Sequence, residues 1–202
     1  MIGENVKLVI FDLYSTLVAP GGRNGGSPFE KLFRYGQLDE AKRKEYRDLF
    51  MTHHYTFDNI VKEFFSLSKA ITDNIKKDLE TEIANTKTYP EVHRVLSVLK
   101  RKYKLALISN LFADYKEPFF NLGLDKYFNK VIFSCDVGHQ KPEPQIYQMA
   151  MMGYKPKQII MIGDSVRKDY NAPRGLGFDA IVIDRKGNKQ AQHKISNLAE
   201  LI

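Results

Sequence analysis

The chain is 202 residues long with 43% hydrophobic content, enough for one large domain, or one domain with a smaller insertion, and too apolar for a disordered chain. Its single cysteine, Cys135, excludes an intramolecular disulfide framework and fits a reducing compartment. An excess of 31 Lys and Arg over 24 Asp and Glu gives a net charge of +7, which favours anionic ligands in general without selecting one.

Met1 to Lys7 holds no basic start followed by a long apolar segment, so the expectation is a soluble cytoplasmic protein with no membrane partner. The next run, residues 8–11, reads as a buried strand and ends at Asp12, where a carboxylate at a strand end calls for a use. The glycine-rich tract from Ala19 to Pro28 lacks Gly-Lys-Ser/Thr and Gly-x-Gly-x-x-Gly spacing and is read as a flexible connection, not a phosphate loop. Helical segments follow around residues 29–35, 39–52, 57–67 and 72–84, with no convincing strand among them. The stretch is long for a simple crossover, and residues 19–87 are read as an α-helical cap inserted after the first strand.

Pro90 suits a first helical turn, and Val92, Val95, Leu96 and Leu99 share one face of the helix that feeds a strand at residues 105–109. Further apolar runs at 131–134, 159–163 and 180–183 alternate with helix-length segments, the pattern of parallel β/α units. The expected fold is therefore α/β: a Rossmann-like three-layer core of residues 1–18 and 88–202. Its ligand crevice lies beyond the strands' carboxyl ends, where Asp12, Ser109, Ser134, Gly163 and Asp164 converge. The short basic runs Lys42-Arg43-Lys44 and Lys100-Arg101-Lys102 read as solvated helix faces, with no nucleic-acid partner. His53, His54, Cys135 and His139 lack partners at ligand spacing and are read as surface or core residues.

Four separated motifs fall at strand ends or helix entrances: Asp12-Leu13-Tyr14-Ser15-Thr16-Leu17, Ser109-Asn110, Lys141 in Gly138-His139-Gln140-Lys141-Pro142-Glu143-Pro144, and Gly163-Asp164-Ser165-Val166-Arg167-Lys168-Asp169. Each alone has a bland reading as a turn or a helix start. In this order, across almost the whole chain, they resemble the haloacid dehalogenase-like hydrolase superfamily. The resemblance implies Asp12 as a nucleophile and Mg²⁺ held by Asp12, the backbone carbonyl of Tyr14 and Asp164, with Asp169 orienting or ligating through water. Ser109 and Asn110 would donate to substrate oxygens, Lys141 would neutralise charge, and Thr16 would orient the loop. Phosphoryl transfer has physical use for such a set: an oxygen nucleophile in line with the leaving group and positive charge around the transferred one.

Tyr14 stands where many phosphatases of the superfamily carry a second aspartate, a proton donor and base worth about 10² to 10⁴ in rate. A tyrosine there is similar to the 2-haloacid dehalogenase branch, in which the nucleophile attacks carbon and a halide leaves without a proton. Asp164 argues the other way, since that branch has serine at this position and a carboxylate would repel a haloacid anion unless a cation lay beside it. The reading is a Mg²⁺-dependent phosphatase of a small phosphorylated molecule, with a 2-haloacid dehalogenase and a catalytically weak binding protein as alternatives. The sequence leaves the oligomeric state open.

Overall fold

The computed structural model describes residues 2–22 and 26–202. Six parallel strands form one sheet: β1 (Leu8–Phe11), β4 (Lys104–Ser109), β5 (Lys130–Phe133), β6 (Ile159–Gly163), β7 (Asp179–Ile183) and β8 (Lys194–Ile195), in the order β5-β4-β1-β6-β7-β8. A second, two-stranded antiparallel ribbon pairs β2 (Val18–Ala19) with β3 (Lys87–Thr88). The expected strands lie within a residue of the observed ones. β2, β3 and β8 were not anticipated, because two-residue strands carry no periodicity to read.

The longer strands are apolar along most of their length because both faces are covered, with exposed charged residues such as Lys104, Lys130 and Asp179 only at their starts. Successive side chains alternate: Val9, Phe11, Leu105, Leu107, Ile160 and Ile162 join one cluster, while Leu8, Ile10, Ala106, Ile108, Ile159 and Met161 join the other. A one-residue slip would exchange the two sets, so the pairing of Phe11 with Leu107 and Ile162 is strongly specified. Helices α5 (Val92–Lys100) and α8 (Pro144–Ala150) cover opposite faces, giving three layers. Pro90 lies in the turn before α5 rather than in the helix.

Between β2 and β3 the chain forms four helices, α1 (Pro28–Tyr35), α2 (Glu40–Thr52), α3 (Phe57–Phe64) and α4 (Lys69–Asn85), with no strand among the described residues. Their apolar faces meet in an aromatic cluster where Phe50 packs edge-on against Phe64 and Tyr55, and Phe33 stacks on Phe65. The helical insert's core is continuous with the first sheet cluster through Phe29, whose ring lies 4.1 Å from that of Phe112.

Of the glycine tract expected to be flexible, Arg23, Asn24 and Gly25 lie outside the described residues. Gly21 is held tightly: a Cβ there would stand 2.2 Å from the Glu82 carbonyl oxygen, so only glycine lets the chain pass this close to the end of α4. No helix among the described residues is long and apolar enough to cross a membrane.

Candidate active site

β1 lies between β4 and β6, and the chain runs from β1 outward to β5 before crossing to β6, so the sheet's switch point sits at the carboxyl end of β1. There Asp12 continues the ladder, its N–H donating to the Ile162 carbonyl at 3.0 Å. The loop after it is tight. The Leu13 carbonyl accepts from Leu17 and Val18 at 2.7 and 3.1 Å, Ser15 takes φ of 61°, and Ser15 N–H donates to Val18 O at 2.7 Å. A non-glycine residue in the left-handed region next to a strand-end carboxylate marks a loop shaped for a use.

Asp12 is 7% exposed. Its Oδ1 accepts from Lys141 Nζ at 2.7 Å, and its Oδ2 from Thr16 Oγ1 at 3.3 Å. Lys141, also buried, donates from the same ammonium to Asp169 Oδ1 at 2.6 Å. Two carboxylates thus share one ammonium in a site nearly closed to water. Burial, opposed by Lys141 and reinforced by the charge of Asp169, pushes the Asp12 carboxyl up to about 6. Burial would lower the Lys141 ammonium, but Asp12 and Asp169 outweigh it and hold Lys141 above its ordinary range.

The fourth motif is built around Asp169. Residues Val166–Asn171 form a π-type turn capped by Ser165, whose side chain accepts from Lys168 N–H at 3.2 Å. The turn brings Asp169 back over the strand end, where its Oδ2 accepts from Ser165 N–H at 2.9 Å. Gly163 makes room for it, since a Cβ at 163 would lie 2.4 Å from Asp169 Cγ. Asp12, Asp164 and Asp169 each offer a carboxylate oxygen within 4.8 Å of the others. This is a hard oxygen donor set and suits a small divalent cation better than a soft one.

Ser109 is buried at the end of β4. The Asn110 side chain makes a reciprocal pair with the Lys141 main chain: Asn110 Nδ2 donates to Lys141 O, and Lys141 N–H donates to Asn110 Oδ1, both at 2.8 Å. Asn110 therefore places the Lys141 main chain. Tyr14 lies on the other side of Asp12; its hydroxyl donates to the Tyr115 carbonyl at 3.0 Å and its ring packs edge-on against Tyr115.

Two further residues enter the site without having been anticipated. Lys189 Nζ lies 2.9 Å from Asp164 Oδ2 and also reaches the Asp164 carbonyl. Arg185 donates to the Thr16 carbonyl at 2.7 Å, pairs with Glu91 at 2.9 Å and stacks 3.4 Å from the Tyr89 ring centre, which pins the loop after Asp12 to the start of α5. Only their position after strand β7 could have signalled them.

His54 lies at the surface and Cys135 in the core, as expected, but the two do have a partner at ligand spacing, because folding brings both to Asp136, with ligand atoms within 4.8 Å of one another. The sequence separation of 82 residues between His54 and Asp136 hid this. His139 instead pairs with Glu143 at 2.9 Å. Burial and the Asp136 charge push the Cys135 thiol up to about 12, so it is no thiolate nucleophile.

A cavity of about 270 Å³ opens beside Tyr14 between insert and core, lined by Tyr14, Glu30, Arg47, Met51, Asn110 and Tyr115 among others. A larger cavity, about 560 Å³, lies by Gly3, Phe178 and His193 and includes none of the motif residues. Chemistry rather than size locates the site.

The model of the haloacid dehalogenase-like hydrolase family matches residues 6–177. A phosphoserine phosphatase of Thermus thermophilus is 35% identical over 48% of this chain and 41% of its own length, so the match spans less than half of that relative. A glyceraldehyde 3-phosphate phosphatase of Methanothermobacter thermautotrophicus is 27% identical over 89% of this chain and 86% of its own. Among solved structures, a phosphatase of the same family from Thermococcus onnurineus superposes with a TM-score of 0.67 at 24% identity, covering 97% of this chain and 96% of that one. A 2-haloacid dehalogenase from Pseudomonas syringae gives 0.68 at 22% identity, with the same coverages. Both structural likenesses speak for the fold alone, whereas the family match covers the segments that carry Asp12, Lys141 and Asp169. The chain is a hydrolase and belongs to the haloacid dehalogenase-like family.

Proposed function

We propose that this hydrolase is a Mg²⁺-dependent phosphatase of a small phosphorylated molecule, acting through an aspartyl-phosphate on Asp12. The convergence of Asp12, Asp164 and Asp169 carries the reading. Lys141 and Lys189 offset part of the charge of the three carboxylates, and the surplus would still repel an anionic substrate unless a further cation lay among them. Asp12, Asp164 and the Tyr14 carbonyl would hold Mg²⁺, with Asp169 beside them, and the donor set fits it. When bound, the ion supplies charge neutralisation for the phosphoryl oxygens.

The chain's own residues do the remainder. Thr16 and Lys141 fix the two oxygens of Asp12, and one of these attacks phosphorus as the substrate's ester oxygen leaves. Lys141, placed by Asn110 and Asp169, sets a positive charge beside the transferred group. The helical insert, residues 19–87, acts as a cap over the cavity beside Tyr14, whose modest volume suits a small substrate. Such a substrate fits the phosphatase names of the relatives described above.

Tyr14 supports a limit on this activity. Its hydroxyl is given to the Tyr115 carbonyl and is a weak base near neutrality, so leaving groups that need a proton should react slowly. Tyr14→Asp is expected to raise turnover of alkyl phosphates by about 10² while changing aryl phosphates much less, measured as phosphate release. Unchanged alkyl turnover in a folded variant would remove the proposed role of position 14. The same residue motivates the second reading, a 2-haloacid dehalogenase. A parallel screen of phosphate esters with and without Mg²⁺, beside short 2-haloacids, separates the two. Halide release without metal would overturn the phosphatase.

Metal affinity should depend on pH in a defined direction. The carboxylate form of Asp12 is the ligand, and its pKa is raised to about 6, so affinity should be level above that pH and fall about tenfold per unit below it. Calorimetric titration with Mg²⁺ checks this. An affinity that stays level down to about pH 5 would show that Asp12 is not a ligand.

A further inference from the structure

A second group of ligand-type side chains lies at the seam between the helical insert and the core. His54 belongs to the loop between α2 and α3, whereas Cys135 and Asp136 lie on α7 (Ser134–Val137) of the core. His54 Nδ1 is 2.8 Å from Asp136 Oδ1, and Cys135 Sγ is 3.8 Å from the same oxygen. A tetrahedral ion with bonds of about 2.0 to 2.3 Å to nitrogen, oxygen and sulfur would hold such donors about 3.3 to 3.6 Å apart, between the two observed spacings. The imidazole and carboxylate are partly open to solvent, with side chains 53% and 38% exposed, while the thiol forms the floor at 1%. An ion could therefore enter from outside and meet sulfur within.

A positive charge already sits there. Lys116 Nζ lies 2.9 Å from Asp136 Oδ1 and 3.1 Å from His54 Nδ1, bridging two of the three donors. The cluster thus already holds a cation between insert and core, and the ammonium is the occupant that a metal would have to displace.

We propose that His54, Cys135 and Asp136 form a second cation site, selective for a thiophilic divalent ion of the zinc class, that staples the insert to the core with Lys116 as its built-in competitor. Sulfur, imidazole and one carboxylate make a borderline-soft set that Mg²⁺ does not favour, which separates this site from the three aspartates at the strand ends. Three protein donors leave a fourth position for water. Zinc would convert a screened ion pair at the seam into coordinate bonds between His54 of the insert and α7 of the core. The proposal stands on this geometry and not on the phosphatase reading.

Co²⁺ titration of the reduced 202-residue chain in Mg²⁺-containing buffer tests it. Cys135 is the only cysteine, so a thiolate-to-cobalt absorption band can arise nowhere else. The expected result is a band that saturates at one equivalent, is abolished by Zn²⁺ and is missing in Cys135→Ser. His54→Gln, at an exposed position that folding tolerates, should weaken Co²⁺ binding about tenfold or more, and Lys116→Met should tighten it. Zn²⁺ should slow amide exchange across residues 53–64 in the native protein and not in His54→Gln. No band in the native protein, equal affinity in His54→Gln, or exchange unaffected by Zn²⁺ would each overturn the staple.

Discussion

Asp12→Asn should abolish turnover, on the order of 10⁴-fold or more, while leaving the protein at least as stable as before at neutral pH without metal. The loss of activity follows from removing the atom that attacks, since an amide oxygen cannot form the covalent intermediate. The stability expectation follows from the site's electrostatics. Burial and Asp169 raise the Asp12 carboxyl from 3.8 to about 6 in the folded state despite Lys141. A group whose folded pKa is raised contributes stability in full below its unfolded pKa, and this is lost as pH rises through the folded value. At neutral pH the ionised carboxylate is therefore a burden that asparagine does not carry, and Lys141 keeps Asp169 as its partner.

Melting curves without Mg²⁺ should place the variant at or above the native protein near pH 7, with the gap closing toward about pH 4. Mg²⁺ should raise the melting temperature of the native protein and not of the variant. A variant that loses activity together with folded structure would mean that Asp12 holds the loop rather than performing chemistry.

The strands and the convergence of Asp12 and Asp164 at their carboxyl ends were legible because each rests on a local signal, whereas Lys141, in the loop after α7, was marked only by the motif that carries the family resemblance. A strand buried on both faces must be a continuous apolar run, and a parallel sheet must present its strand ends together. The insert's helices were legible in the same way, with bounds shifted by a few residues: 72–84 was expected where α4 begins at Lys69 and ends at Asn85. What could not be read depends on side chains that meet across long separations. Arg185 on Thr16 spans 169 residues, and Lys189 on Asp164 spans 25 across a helical turn and the whole of β7. The Asn110 clamp on Lys141 was invisible because its two partners lie 31 residues apart, with β5 between them, and an amide alone says nothing about its partner. Gly163 reads in sequence as a turn glycine, and only the position of the Asp169 side chain shows why no other residue fits.

Lys141→Met should produce the largest loss of stability. The ammonium is the cation shared by Asp12 and Asp169, and methionine keeps much of the stem's volume while removing the charge. Removing one partner from a buried ion network leaves uncompensated charge and costs about 3 to 5 kcal/mol. For a domain of this size that amounts to a fall of about 10 °C in melting temperature. The pH dependence separates charge from packing. Without the ammonium, nothing offsets the burial and the Asp169 charge that already raise the Asp12 carboxyl, so its folded pKa rises further above the unfolded one and stability present at low pH is lost as pH increases. The variant's deficit should therefore be small near about pH 4 and greatest above neutrality. Mg²⁺ should recover part of it at high pH by binding the same carboxylates. A deficit equal at both extremes and indifferent to Mg²⁺ would place the cost in the packing of the lysine stem, and the charge network at the strand ends would then not be what holds Asp12 in position.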